Sequence, residues 1–231
     1  MRTNKSILLF LFAAWLLSSS LVFSQSPAKL KKTVRVDLLL PRPISNTAFV
    51  KIFSGVVNVN ASMNLGFNNF NVAPYYGLMQ CQVFPKYFSD PHAVQTIHTA
   101  GMRFSYDIYP SKETLKSTKG NFIVFSPFLA GGYDWIDYTR LKCLNGVPSG
   151  KHLQTYNLMP GINFYLMFSE FGGIGFTLGF NHLNHEFNPD PLCLSEFWDF
   201  KESEKQGMIN YILYGFNVYI DIGKRPENSE E

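Results

Sequence analysis

The chain has 231 residues, a formal net charge of +3 and three cysteines, Cys81, Cys143 and Cys193. So small an excess of positive charge, spread without a Lys/Arg cluster, excludes nucleic acid as a partner, and the cysteine spacing fits no zinc pattern. Charged residues make up only 16% of the chain and aromatic residues another 16%, a balance unlike that of a sheet bathed in water on one face.

Residues 1–24 read as a signal peptide. Arg2 and Lys5 give a positive start, Ile7 to Leu17 is an unbroken apolar run of eleven, and Val22-Phe23-Ser24 fits a cleavage site before Gln25. The run is too short for a membrane-spanning helix, which needs roughly 20 residues. No later stretch replaces it, and no cysteine near the cleavage point suggests a lipid anchor. Removing these residues leaves 207 and takes away two cations, so the net charge falls to +1.

Turn signals divide the mature chain into eight runs read as strands: 33–40, 49–67, 71–84, 95–109, 121–138, 153–168, 172–187 and 208–222. The second holds "VVNVNASMNLGF", in which Val57, Val59, Ala61, Met63, Leu65 and Phe67 alternate with Asn58, Asn60, Ser62, Asn64 and Gly66. Period two gives a strand with one apolar and one polar face. In the fourth run Met102, Phe104, Tyr106 and Ile108 oppose Gly101, Arg103, Ser105 and Asp107. In the seventh Ile174, Phe176, Leu178 and Phe180 oppose Gly173, Gly175, Thr177 and Gly179; in the eighth Phe216, Val218 and Ile220 oppose Gly215, Asn217 and Asp221. The third and sixth runs alternate less cleanly. Pro74, Pro127 and Pro160 fall inside runs, where a bulge or a misread strand is expected. No helix is expected between the runs.

Short connections (68–70, 169–171) alternate with long ones (85–94, 139–152, 188–207), as in outer-membrane barrels with short periplasmic turns and long external loops. The eleven-residue turn 110–120 is the exception. The polar face carries Asn, Ser, Gly and Thr with little Lys or Glu, which suits a narrow lumen better than open water. A tilted strand climbs roughly 2.5 Å per residue, so an apolar band of roughly 25 Å takes about ten residues; Val57 to Phe67 supplies eleven. The expected fold is therefore all-β, an eight-stranded antiparallel transmembrane β-barrel over 25–223, with a polar tail at 224–231. Val59, Met63, Leu65, Ile174, Phe176, Phe216 and Val218 should face lipid, and Asn58, Asn60, Asn64, Gly175, Asn217 and Asp221 the lumen.

The signal, the eight Phe/Tyr/Gly-rich runs and the final strand "YGFNVYI" resemble the small eight-stranded outer-membrane barrels, the OmpX-like proteins. "LLLPRPISNTAFVKIFSGVVNVNASMNLGF", Leu38 to Phe67, resembles the opening hairpin of the PorT-like barrels of Bacteroidetes. The likeness implies an outer-membrane location and spans the mature chain, with one departure: the polar tail after Ile222 displaces the terminal aromatic residue such barrels often carry.

Concentrated chemistry is sparse. His182, His185 and Glu186 in "NHLNHEF" lack the H-E-x-x-H spacing, and on a strand the two histidines point to opposite faces. Ser105 and Ser126 read as lumen hydroxyls without a neighbouring His, and Gly172-Gly173-x-Gly175 opens a strand with no helix behind it. No catalytic, metal or cofactor site is expected. Tyr133, Trp135 and Tyr138 read as an interfacial aromatic girdle. Phe197, Trp198 and Phe200 in loop 188–207 form a candidate external binding loop for another envelope or extracellular protein, beside the outer-membrane lipid itself. In the lumen Arg35 should find Asp221 or Asp37, because a confined charge needs a partner. Cys143 and Cys193 lie in neighbouring external loops of opposite charge, which suggests a disulfide against competition from Cys81. Two rivals remain: a secreted lipocalin-like binder with an apolar interior, and a barrel enzyme acting on membrane lipid.

Overall fold

A computed structural model of the protein describes residues 31–67, 69–83, 93–110, 122–142, 148–169, 172–196 and 198–222. The signal peptide, the tail 224–231, most of the turn 110–120, Cys143 and Phe197 lie outside the described residues.

Eight strands close on themselves in sequence order: β1 (Lys31–Pro43), β2 (Phe53–Phe67), β3 (Phe70–Val83), β4 (Val94–Tyr106), β5 (Phe122–Lys142), β6 (Pro148–Ser169), β7 (Gly172–Glu186) and β8 (Met208–Asp221). Every neighbour is antiparallel, and β1 pairs β8 from Thr33↔Asp221 to Pro43↔Tyr211, which closes the sheet into a barrel. The fold is the expected eight-stranded antiparallel barrel.

Two elements depart from the sequence reading. The first is a helix, α1 (Thr47–Ile52), where the second run was read as strand from 49. "FVKI" alternates like a strand, but Asn46 caps the helix by accepting from Phe49 N–H at 3.0 Å, and Ala48, Phe49 and Ile52 form one buried helical face. The second is the segment 139–152, read as a loop. β5 and β6 continue as a paired hairpin, Lys142↔Pro148 being the last pair, so the connection is only 143–147.

The three prolines produce no shift of register. Each sits where one ladder lapses and then resumes in step: Pro74 between Ser62↔Tyr75 and Leu65↔Val72, Pro127 between Ser105↔Phe128 and the bridge Ile108↔Phe125, Pro160 between Leu158↔His182 and Gly161↔Gly179. A residue without an N–H removes a rung and leaves the strand intact.

The two faces answer to different surroundings along the barrel. At the end of the short turns the outside is apolar and the inside polar. Met63 is 45% exposed, Ile174 52% and Phe216 72%, whereas Asn60 and Asn217 are 5% and 1% exposed. Toward the helix-capped end the pattern inverts. On β3 the inward residues become Met79, Cys81 and Val83 and the outward ones Gln80 and Gln82; on β5, Ile136 and Tyr138 turn inward while Asp137 and Thr139 turn outward. Near the change of sign stand Tyr76, His98, Tyr133, Trp135 and His182.

Candidate functional site

The middle of the polar half of the lumen holds one bonded cluster. Arg35 on β1 donates through Nε to Asp37 Oδ1 at 2.7 Å and through Nη2 to Asn163 Oδ1 at 2.7 Å, and Nη1 bonds the Tyr165 hydroxyl. From across the barrel Arg103 on β4 donates to Asp37 Oδ2 at 3.1 Å and to Asn163 Oδ1 at 3.2 Å. Thr177 donates to Asn163 Oδ1 at 3.1 Å, and Asn217 Nδ2 donates to Thr177 at 2.8 Å. Arg103 lies 3.6 Å above the Phe128 ring, which occupies the space left by Gly161, where a Cβ would stand 2.4 Å from Phe128 Cζ. Asp37 thus accepts from two guanidiniums, Arg35 on its own strand and Arg103 on β4, and six strands are tied through the interior. Two guanidiniums this deeply buried are tolerable because each is paired and bonded.

Separate bonds occupy the levels above and below. Asp134 Oδ1 accepts from Thr99 at 2.5 Å and Asn157 at 2.8 Å, and Asn64 Nδ2 donates to Thr33 at 3.1 Å. At the base Asn71 and Tyr109 donate to Asp107 Oδ2 at 2.9 and 3.3 Å. There Asp107, Val124, Met167 and Tyr219 border a space of about 10 Å³, room for one water at most.

The other end is closed by an apolar cap. Phe49 and Ile52 of α1 and Phe53 beside it enter the barrel mouth and pack with Phe187, Tyr138, Tyr211, Leu183 and Leu194. Phe49 stacks on Phe53 with ring centroids 4.6 Å apart, and both meet Phe187 edge-on at 5.1 and 5.6 Å. The segment 187–207 folds over this plug through short 3₁₀ turns at Asp190–Leu192, Leu194–Glu196 and Glu202–Glu204. Asn46, at φ 59°, fastens it: besides capping α1, its Nδ2 donates to the Gly207, Lys205 and Phe187 carbonyls at 2.9, 3.2 and 3.3 Å. Lys51 pairs with Glu204, and Lys205 with Asp190 at 3.2 Å and Glu202 at 3.0 Å. Lys51 holds the Glu204 carboxyl below its ordinary range, and Ser195, then Lys205, do the same for Asp190.

The structure places Arg35, Asp37, Asn58, Asn60 and Asn64 inside the barrel. Asp221 is half-buried at the end of β8 opposite Thr33, and Arg35 is served by Asp37 on its own strand. Of the proposed binding loop, Phe200 is buried in the cap and Trp198 is half-buried against it; hydrophobic burial at the barrel mouth has drawn these rings inward. Tyr138 is likewise a cap residue, donating no girdle surface, while Tyr133 and Trp135 are exposed and meet edge-on at 5.1 Å. His182 is on the outer face, with Nδ1 2.6 Å from Asn210 Oδ1, and His185 points toward the Tyr138 ring. Among the described residues no three His, Cys, Asp or Glu side chains gather as a metal site. Cys81 is buried and free, and Cys193 is in a disulfide. Arg103, Asn163 and Thr177 were not singled out from sequence; parity put Arg103 and Thr177 on the inner face, but nothing local showed that β4, β6 and β7 bring them to Asp37.

No family model matches the chain, and no curated protein matches it. Solved structures similar to it include Neisserial surface protein A, at 12% identity and TM-score 0.47, covering 83% of this chain and 97% of that one. The attachment invasion locus protein of Yersinia pestis is similar at 8% identity and TM-score 0.47, covering 83% of this chain and 99% of that one.

Proposed function

We propose that the protein is an outer-membrane barrel, closed to diffusion, that works as a scaffold presenting its capped end to the outside. The inversion of the faces carries this reading. A sheet wholly in water buries its apolar face along its whole length; here the apolar face is outside over one half and inside over the other. Two solvents on one surface account for that, a hydrocarbon phase around the polar-filled half and water around the capped half. The arrangement is opposite to a soluble lipocalin-like carrier, whose interior would be apolar where Arg35, Asp37 and Arg103 stand.

The charged groups of the interior, Arg35, Asp37 and Arg103, are engaged with one another and with Asn163, which speaks for a structural or binding role over catalysis. Ser105 and Ser126 lie in the polar half, whereas His185 lies at the cap, eight residues along β7 from Thr177. What the capped end offers a partner is polar: Asp190, Glu196, Asp199, Lys201 and Glu202 are exposed, so an envelope or extracellular protein would meet an acidic crust with aromatic residues beneath it. Within the small outer-membrane barrels we place the chain beside the PorT-like proteins, on the stretch Leu38 to Phe67.

Fractionation of the expressing cell with heat-modifiable gel migration tests the reading. Recovery in the outer-membrane fraction, with a folded form that migrates faster unheated and protease cleavage of 187–207 on intact cells, is expected. A protein soluble without detergent would refute it.

A further inference from the structure

Near the capped end the wall between β1 and β2 loses its ladder. The pairing stops at Leu39↔Asn58, although β1 stays bonded to β8 as far as Pro43 and β2 to β3 from Phe53. Pro41 and Pro43 have no N–H to offer, and β2 carries a bulge between Gly55 and Val57. The backbones still touch: a Cβ on Gly55 would lie 1.5 Å from the Pro41 carbonyl oxygen. A partner strand therefore has no room to enter. The seam leaves instead a groove of about 500 Å³ lined by Leu40, Pro41, Pro43, Val50, Gly55 and Tyr214, with Arg42 among them.

The groove joins two chemistries. Leu40, Val50 and Tyr214 expose apolar surface, continuing the outward series Val36 and Leu38 of β1. Arg42 is set into that series, which resumes at exposed Ile44. It is exposed and, among the described residues, has no ion pair, whereas nearby Lys51 is paired with Glu204. Its cross-strand neighbour on β8 is Ile212, so it stands as a cation among apolar outward residues. A guanidinium offers parallel N–H donors that match phosphate oxygens, and the volume falls within the roughly 300–1,000 Å³ of small-molecule sites.

We propose that the β1/β2 seam binds a phosphate-bearing lipid of the surrounding leaflet, its phosphate on Arg42 and its acyl portion along Leu40, Val50 and Tyr214. The proposal rests on the membrane reading. Its test is native mass spectrometry of the full mature protein in detergent micelles, titrated with dimyristoyl phosphatidic acid and, separately, dimyristoylglycerol, which has the same chains without phosphate. One phosphatidic acid should be retained per barrel. Arg42→Gln should weaken it roughly tenfold, Arg42→Lys less, and Lys51→Gln should leave it unchanged. Equal retention of dimyristoylglycerol by the unmodified protein, or equal binding by Arg42→Gln, would overturn the proposal. So would displacement by inorganic phosphate at comparable concentration, which would mark a plain anion site. Heat-modifiable migration of each sample reports the barrel separately, so failure of the lipid site is distinguishable from failure of the membrane reading.

Discussion

Asp37→Asn is the perturbation that bears hardest on the lumen. The carboxylate accepts from Arg35 Nε at 2.7 Å and Arg103 Nη1 at 3.1 Å, and both arginines are almost wholly buried. An amide at this position nearly preserves the volume but removes the charge that faces two cations, and its NH₂ group points a donor at a donor. Removing one partner of a buried pair costs about 3–5 kcal/mol. Asp134, bonded to Thr99 and Asn157, cannot substitute without giving up those partners. The expected loss at about 1.4 kcal/mol per decade is therefore two to nearly four orders of magnitude in the folding equilibrium constant. Replacing all three by apolar residues, Arg35→Met, Asp37→Leu and Arg103→Met, should recover most of it, because no orphan charge remains. Urea unfolding in lipid vesicles, followed by Trp135 fluorescence and heat-modifiable migration, measures both. A loss below about 1 kcal/mol for Asp37→Asn would refute the pairing argument.

Asn46→Ala should cost about 1–2 kcal/mol through the lost α1 cap, with added strain because alanine tolerates φ 59° poorly; amide exchange should quicken at Phe49 and across 187–207 together, and a change confined to α1 would contradict the shared role. Because Cys193 is in a disulfide and Cys81 is free, Cys193 should be joined to Cys143, and non-reducing peptide mass spectrometry that finds Cys143 as a thiol would disprove it. Glu204 and Asp190 have lowered carboxyl pKa values, so their contribution is present above the ordinary carboxylate range and disappears as pH falls through the lowered values. Amide protection over 190–205, corrected for intrinsic exchange, should hold from pH 7 to 5 and fall by pH 3, whereas an unchanged profile would mean the clamps do not fasten the segment.

The half of the barrel that is plain in the sequence is the half in which each face keeps one character. Val57 to Phe67 reads correctly because its outside is uniformly apolar and its inside uniformly polar. β3 and β6 read as noisy because they cross the boundary: Leu78 faces out and Met79 faces in, so two apolar residues stand side by side and the period disappears. The same inversion hid the cap. Phe49, Phe53 and Phe187 look like any exposed aromatic residues until the barrel mouth supplies something to pack against. α1 was missed because four residues satisfy two periods at once and the deciding signal is a single asparagine cap. The charge cluster is harder still, since Asp37 and Arg103 are 66 residues apart and meet only when the sheet closes.

The inversion of the faces is tested most directly by paired spin labels in reconstituted vesicles. One is placed at Met63 and one at Gln82, both on the outer face, in a background with the native cysteines replaced. Met63 should be relaxed by oxygen and shielded from a water-soluble nickel complex, and Gln82 should show the reverse. Equal access of the nickel complex to both positions would contradict a barrel that stands half in hydrocarbon and half in water.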